Sequence, residues 1–187
     1  MCIRDRVISG RGARDAAGPL LQLLDRLGAL YLDTGESRGL VPEGHPSVVA
    51  AMRGSVMGEA DLIVTVGRRL DFQLAYGSPA VFGDAKFIRI ADAPSELRDN
   101  RRAAVELFAT PSAALNAIVA AAPVRASAVD RDWTQAVRSK HLARADKLLS
   151  SMSAAAPGSD GLMHPNRLLA ALRAASRRFG CIRPSLP

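Results

Sequence analysis

The residues best placed to do chemistry in this chain stand directly behind two short apolar runs. Leu62 to Val66 leads into Gly67, Arg68, Arg69 and Asp71, and Phe87 to Ile90 leads into Ala91 and Asp92. An arginine fork suits phosphate oxygens, and a carboxylate can accept both hydroxyl hydrogens of a ribose. If the two runs are neighbouring strands, Arg69 and Asp92 reach one ligand. The alternative is that Arg69 pairs with Asp71 or Asp92 and only caps the sheet. A further candidate, Gly10-Arg11-Gly12, lies between a strand signal and a helical stretch, where backbone N–H groups attract phosphate. Asp33 stands about 20 residues on, where the acid of a dinucleotide fingerprint would hold a ribose. Asp15 replaces the third glycine of that fingerprint, and a carboxylate there repels a pyrophosphate.

No catalytic residue and no metal site is assigned. The sequence has no Gly-x-Ser-x-Gly, no phosphate loop ending in Gly-Lys-Ser/Thr and no set of metal ligands at suitable spacing. His45 sits in a loop between Gly44 and Pro46, His141 lies on a helix stripe, and His164 is placed as an N-cap before Pro165. All three are expected to be structural.

Residues behind apolar runs meet a ligand only if the runs are parallel strands ending at one edge of a sheet. The rest of the pattern supplies such a sheet. Strands are predicted at Val7 to Ser9, Leu30 to Asp33, Leu62 to Val66, Phe87 to Ala91 and Val105 to Ala109. Between them, Ala17, Leu20, Leu21, Leu24 and Leu27 fall on one helical face that Gly28 stops. A loop rich in Gly and Pro runs from Arg38 to Pro46, with a helix from about Ser47 to Met57. A loop or short helix spans Tyr76 to Gly83, and a helical turn Ser95 to Asn100. A closing helix, Ser112 to Ala121, follows Thr110-Pro111. The expected fold is α/β, a Rossmann-like parallel sheet with helices on both faces over residues 7–122.

A linker follows over 123–161, containing a long polar helix from Asp132 to Met152 with the stripe Trp133, Val137, His141, Leu148 and Met152. Residues 162–178, with an amphipathic helix from Pro165 to Ala175, are expected to open a second, truncated domain. Met1-Cys2-Ile3-Arg4-Asp5-Arg6 resembles the in-frame translation of a transposon adaptor. Residues 1–6 and the patternless tail 179–187 are therefore expected to be non-native, Cys2 and Cys181 with them.

Composition narrows the partners. The 187 residues carry a net charge of +7, but the basic residues are scattered and aromatics make up only 4%, which argues against nucleic acid. No apolar run approaches the length of a membrane span, and the start lacks the apolar core of a signal peptide. No membrane partner is expected, and the default compartment is cytoplasmic.

Three segments taken in order resemble one family. Arg38-Gly39-Leu40-Val41-Pro42-Glu43-Gly44-His45-Pro46, Glu59-Ala60-Asp61 through Gly67-Arg68-Arg69-Leu70-Asp71, and Ala85-Lys86-Phe87-Ile88-Arg89-Ile90-Ala91-Asp92 resemble the central domain of thiamine-diphosphate-dependent enzymes. Acetolactate synthases and the oxalyl-CoA decarboxylase group are the nearest in shape. Met163 to Leu172 is similar to the helix that opens the C-terminal domain of the same enzymes. The resemblance implies a fragment of an enzyme acting on 2-keto acids by decarboxylation and carboligation, with an acyl-CoA decarboxylase or lyase as the close alternative. An NAD-type oxidoreductase and a nucleotide-free structural domain are the rivals from other classes.

The resemblance also implies that this part is non-catalytic. Thiamine diphosphate and Mg2+ would be held by motifs outside it, in the N- and C-terminal domains of the same chain, within a homo-oligomer. The central domain would carry FAD, ADP or nothing, and the family's nucleotide contacts fall on Gly10, Arg11, Gly12, Arg69 and Asp92. Two departures stand out. Arg68 replaces a small residue, where a bulky cation would alter or block the site, and Ile90-Ala91-Asp92 lacks the first acid of the Asp-Ile-Asp pattern.

Overall fold

The parallel sheet is built from β1 (Asp5–Ser9), β2 (Leu30–Leu32), β3 (Leu62–Val66), β4 (Lys86–Ala91) and β5 (Val105–Phe108), in the order β2-β1-β3-β4-β5. Every pairing is parallel. This computed structural model describes residues 4–121, 130–156, 158 and 161–178. Residues 123–129, 157 and 159–160 of the expected linker 123–161, with Cys2, Cys181 and the tail 179–187, lie outside the described residues.

Outside β2 the sheet gains one more position. Val48 forms a parallel bridge with Tyr31: the Tyr31 N–H donates to Ser47 O at 2.7 Å and the Val49 N–H to Tyr31 O at 3.3 Å. With that bridge the spatial order is that of a doubly wound sheet, and its direction of winding reverses between β1 and β3. The helix expected over 47–57 thus begins late, as a 3-10 turn (Ala50–Met52) that runs into α2 (Arg53–Gly58).

Strand residues alternate between two cores, as the period of a β-strand requires. Val7, Tyr31, Val64 and Ile90 pack beneath α1 (Ala17–Leu27) and α5 (Pro111–Ala121). Ile8, Leu30, Ile63 and Phe87 pack beneath α2 and α3 (Pro79–Phe82). Helices therefore cover both faces. Gly28 ends α1 in the left-handed region at φ 63°, its N–H donating to Leu24 O at 2.8 Å, a stop that glycine makes without a Cβ penalty. Leu23, outside the expected face of α1, is buried with Leu20 and Leu24. A short α4 (Pro94–Leu97) connects β4 to β5.

The first strand starts earlier than its apolar residues announce. Asp5 and Arg6, expected to lie outside the fold, continue the ladder of β1, with Asp5 opposite Leu62 and Arg6 opposite both Leu30 and Ile63. Arg6 is 0% exposed, and none of its three guanidinium nitrogens has a hydrogen-bond partner among the described residues. Burial pulls its pKa down to about 9, opposed by the nearby Glu59 charge. The Trp133 ring lies 5.6 Å from it.

The chain divides into two compact units, Met1–Arg138 and Ser139–Pro187. In the first unit, α6 (Arg131–Ala154) begins with Asp130 accepting from the Trp133 N–H at 3.0 Å. Val137 joins the core on the α2 face, and the Trp133 indole N–H donates to Glu59 at 2.6 Å. The second unit holds α7 (Pro165–Arg178), where Leu168, Leu169 and Leu172 are exposed. His164 caps α7 by accepting from the Asn166 N–H at 3.1 Å.

Candidate functional site

At the carboxyl edge, the reversal point between β1 and β3 is where a doubly wound sheet offers a crevice to a ligand. Here two glycine turns meet across it. The Gly10 N–H donates to Val66 O and the Gly12 N–H to Gly67 O, each at 3.0 Å. Gly67 adopts φ +52°, and a Cβ on it would lie 2.5 Å from both the Cα and the carbonyl carbon of Gly12. The glycines of the first turn thus serve the close approach of two backbones, and their N–H groups are engaged. Below them Ser9 is fixed by Tyr31 at 2.5 Å and Ser37 at 2.8 Å, and Thr34 donates to Ser9 O at 2.6 Å. Arg11 and Arg14 both pair with Glu36.

Arg68 lies over the first turn. A Cβ on Gly10 would stand 2.6 Å from the Cδ of Arg68. The guanidinium closes on Asp71 through two bonds of 2.8 Å and reaches Gln73 at 2.9 Å. Side-chain exposure is 10% for Arg68 and 30% for Asp71. Burial pushes the Asp71 carboxyl up, but hydrogen bonds and charge from Arg68, the Gln73 N–H and the Arg69 charge outweigh it and hold it below the usual carboxylate range. The capping pair considered for Arg69 is therefore made by Arg68 instead.

Arg69 and Asp92 are both exposed, behind the adjacent strands β3 and β4. Neither makes a hydrogen bond or ion pair among the described residues, and they do not cap each other. Asp33, half-buried behind β2, stands on the far side of β1 from them. Of the five expected contacts, Gly10, Arg11 and Gly12 share one turn, while Arg69 and Asp92 stand on the next pair of strands.

The segment carrying Arg69 is held by residues that the sequence reading passed over. Arg89, buried in the middle of β4, binds Asp99 at 2.5 and 2.9 Å and donates to Leu97 O at 3.1 Å, Arg101 O at 2.9 Å and Glu96 O. Asp99 accepts from the Leu70 N–H at 2.8 Å, and the Asn100 side chain donates to Leu70 O at 2.8 Å. Arg101 ties Gly77 O at 2.8 Å and Ala85 O at 3.0 Å. The one signal for this clamp in the sequence is a charged residue at a core-facing position of an otherwise apolar run.

Among the described residues no group of three or more His, Cys, Asp or Glu side chains converges as a metal site. No described helix is long and apolar enough to cross a membrane.

Strand order and two helical layers define a doubly wound, Rossmann-like α/β domain. The chain belongs to the thiamine pyrophosphate enzyme central-domain family, whose pattern matches residues 4–118. That membership selects the thiamine-enzyme reading over an NAD-type oxidoreductase. The chain is 35% identical over 105 residues to 2-hydroxyacyl-CoA lyase 1 of Mus musculus, covering 54% of this chain and 18% of that protein. It is 28% identical over 119 residues to oxalyl-CoA decarboxylase of Escherichia coli K12, covering 63% and 21%. To the probable acetolactate synthase of Mycobacterium bovis it is 28% identical over 165 residues, covering 87% and 28%. It therefore spans less than a third of each of these relatives. Among solved structures, one described as a thiamin diphosphate-dependent enzyme from Mycobacterium smegmatis matches with a TM-score of 0.56 at 15% identity. The match covers 68% of this chain and 26% of that one, a likeness of fold.

Proposed function

We propose that this chain is the non-catalytic central domain, with the first helix of the next domain, of a thiamine-diphosphate-dependent enzyme acting on 2-keto acids in the manner of an acetolactate synthase. The observation that carries this reading is the likeness to the Mycobacterium bovis protein, which runs beyond the central domain across 87% of the chain. Thiamine diphosphate, which supplies the carbanion chemistry when bound, and Mg2+ would be held by parts of a cytoplasmic homo-oligomer outside this chain. Its domains would be a central domain that begins with β1 at Asp5 rather than at residue 7 and runs to 122, a linker to 161, and the opening of the last domain from 162.

A second reading, an acyl-CoA lyase or decarboxylase of the same family, is favoured by the higher identity to 2-hydroxyacyl-CoA lyase. The deciding experiment is to sequence the gene on both sides of this segment and assay the complete enzyme with pyruvate and with a 2-hydroxyacyl-CoA. Acetolactate formation supports the first reading. Cleavage of the thioester substrate alone supports the second, and inactivity on both with thiamine diphosphate and Mg2+ present sinks both.

Within the domain, Arg69 and Asp92 are the residues proposed to hold an adenine nucleotide, ADP or FAD, beside the turn of Gly10, Arg11 and Gly12. Their opposite charges at the ends of adjacent strands, neither held in an ion pair among the described residues, support this. Calorimetric titration of the 187-residue chain tests it: Arg69→Ala and Asp92→Asn should each weaken ADP or FAD binding about 10-fold. Unchanged affinity in both variants would remove them from the site.

A further inference from the structure

We infer that Arg68 is a specificity-determining residue that fills the crevice between β1 and β3 and denies it to a diphosphate. A nucleotide is then left to the β3/β4 edge, with one phosphate at Arg69. The inference rests on the proposal that Arg69 and Asp92 bind a nucleotide. Two features of the crevice support it, one of space and one of charge.

The space is taken, because the Arg68 methylenes lie against the Gly10 backbone where a phosphate would approach the turn. The N–H groups of Gly10 and Gly12 serve Val66 O and Gly67 O whatever residue stands at position 68, so the plug acts through space and charge. The charges are neutralised. Arg68 is closed on Asp71 by a bidentate pair, and Arg11 and Arg14 both meet Glu36. A diphosphate in this crevice would have to displace a nine-tenths buried arginine and leave the Asp71 carboxylate facing it. Behind β3 and β4, Arg69 and Asp92 are exposed, and among the described residues neither is held in a hydrogen bond or ion pair. The plug therefore sets how many phosphates are recognised: the first meets Arg69 and the second meets nothing.

The test compares AMP with ADP on the 187-residue chain by calorimetric titration. The wild-type chain should bind the two within about 3-fold of each other. The double variant Arg68→Ala/Asp71→Asn removes the plug and the carboxylate it would expose, while the amide oxygen introduced by the second substitution still accepts from the Gln73 N–H. It should favour ADP over AMP by about 10-fold or more. Circular dichroism confirms that the variant is folded, and the wild-type ratio is a test that needs no variant. A wild-type preference for ADP of about 10-fold, unchanged in the variant, overturns the plug and leaves the Arg69/Asp92 site standing. Binding of ADP by the variant alone supports the plug and removes the Arg69/Asp92 site from the wild-type chain. Absence of binding of either nucleotide to either protein overturns both.

Discussion

Arg89 and Asp99 form a buried ion pair whose side chains are 1% and 2% exposed, and Asp99 in turn holds the Leu70 N–H. A single arginine on β4 thus fixes the loop behind β3. Removing one partner of such a pair strands the other charge, which costs more than the pair itself contributes. Arg89→Met should lower stability by about 3–5 kcal/mol, read as the loss of urea midpoint at constant slope. A loss below about 1 kcal/mol would mean that the pair is not desolvated as described.

Acid should reveal the same pair. Burial raises the Asp99 carboxyl, but hydrogen bonds from Arg89, Leu70 and Asn100 and the Arg89 charge outweigh it, and the net shift is downward. A carboxyl depressed in the folded state stabilises the fold above its unfolded value, about 4, and that contribution drains as the pH falls through the lower folded value. Asp99→Asn should flatten this part of the stability–pH curve between neutrality and acid. Parallel curves for the two proteins would count against the assignment.

Gly67 can be no other residue. It has φ +52°, and a Cβ would enter the Gly12 backbone at 2.5 Å. Gly67→Ala should cost more than about 2 kcal/mol, since strain and collision add, whereas Gly18→Ala, with nothing within 4 Å of its Cβ, should be neutral or better. Equal thermal midpoints for the two variants would contradict the contact between the turns.

Arg6 is a burden on the fold. A guanidinium that is fully buried, without a hydrogen-bond partner among the described residues and pulled down to about 9, is held charged at neutral pH against its surroundings. Arg6→Ile, between Leu30 and Ile63 in the ladder, should raise stability by about 2–4 kcal/mol. A base depressed in the folded state releases its penalty as the pH climbs past the folded value. The wild-type chain should therefore gain stability above about 9, and the variant should lack that gain. A destabilised variant would show that the cation contact with Trp133 outweighs the desolvation.

Much of the architecture was legible in the sequence because parallel strands covered on both faces are written as short apolar runs bounded by glycine and acid. Leu62 to Val66 and Phe87 to Ala91 are such runs, the second extended by Lys86 in the fold, and the order of elements followed. Three features were not legible, for physical reasons. Arg89 looks like an interruption of β4 until Asp99 is brought under it, and no local pattern encodes that meeting. Arg68 and Arg69 are neighbours of the same type, and only the direction of each side chain decides which is buried on Asp71. Arg6 looks unlike a strand residue by any propensity, and it is held there by its neighbours in register.

The wholly parallel sheet has a consequence for the order in which the chain can assemble. No two of its strands can be joined by a hairpin, so every pairing waits for a crossover. The strand at the centre of the winding is also the first to be made: Arg4 meets Asp61 across a separation of 57 residues. On a ribosome, β1 would leave the exit tunnel with neither neighbour available, gain β2 first, and find β3 only after two helices had been made. Such long-range closure slows folding relative to a bundle built on local contacts. Until β3 arrives, the apolar edge of β1 is a surface that other chains can reach.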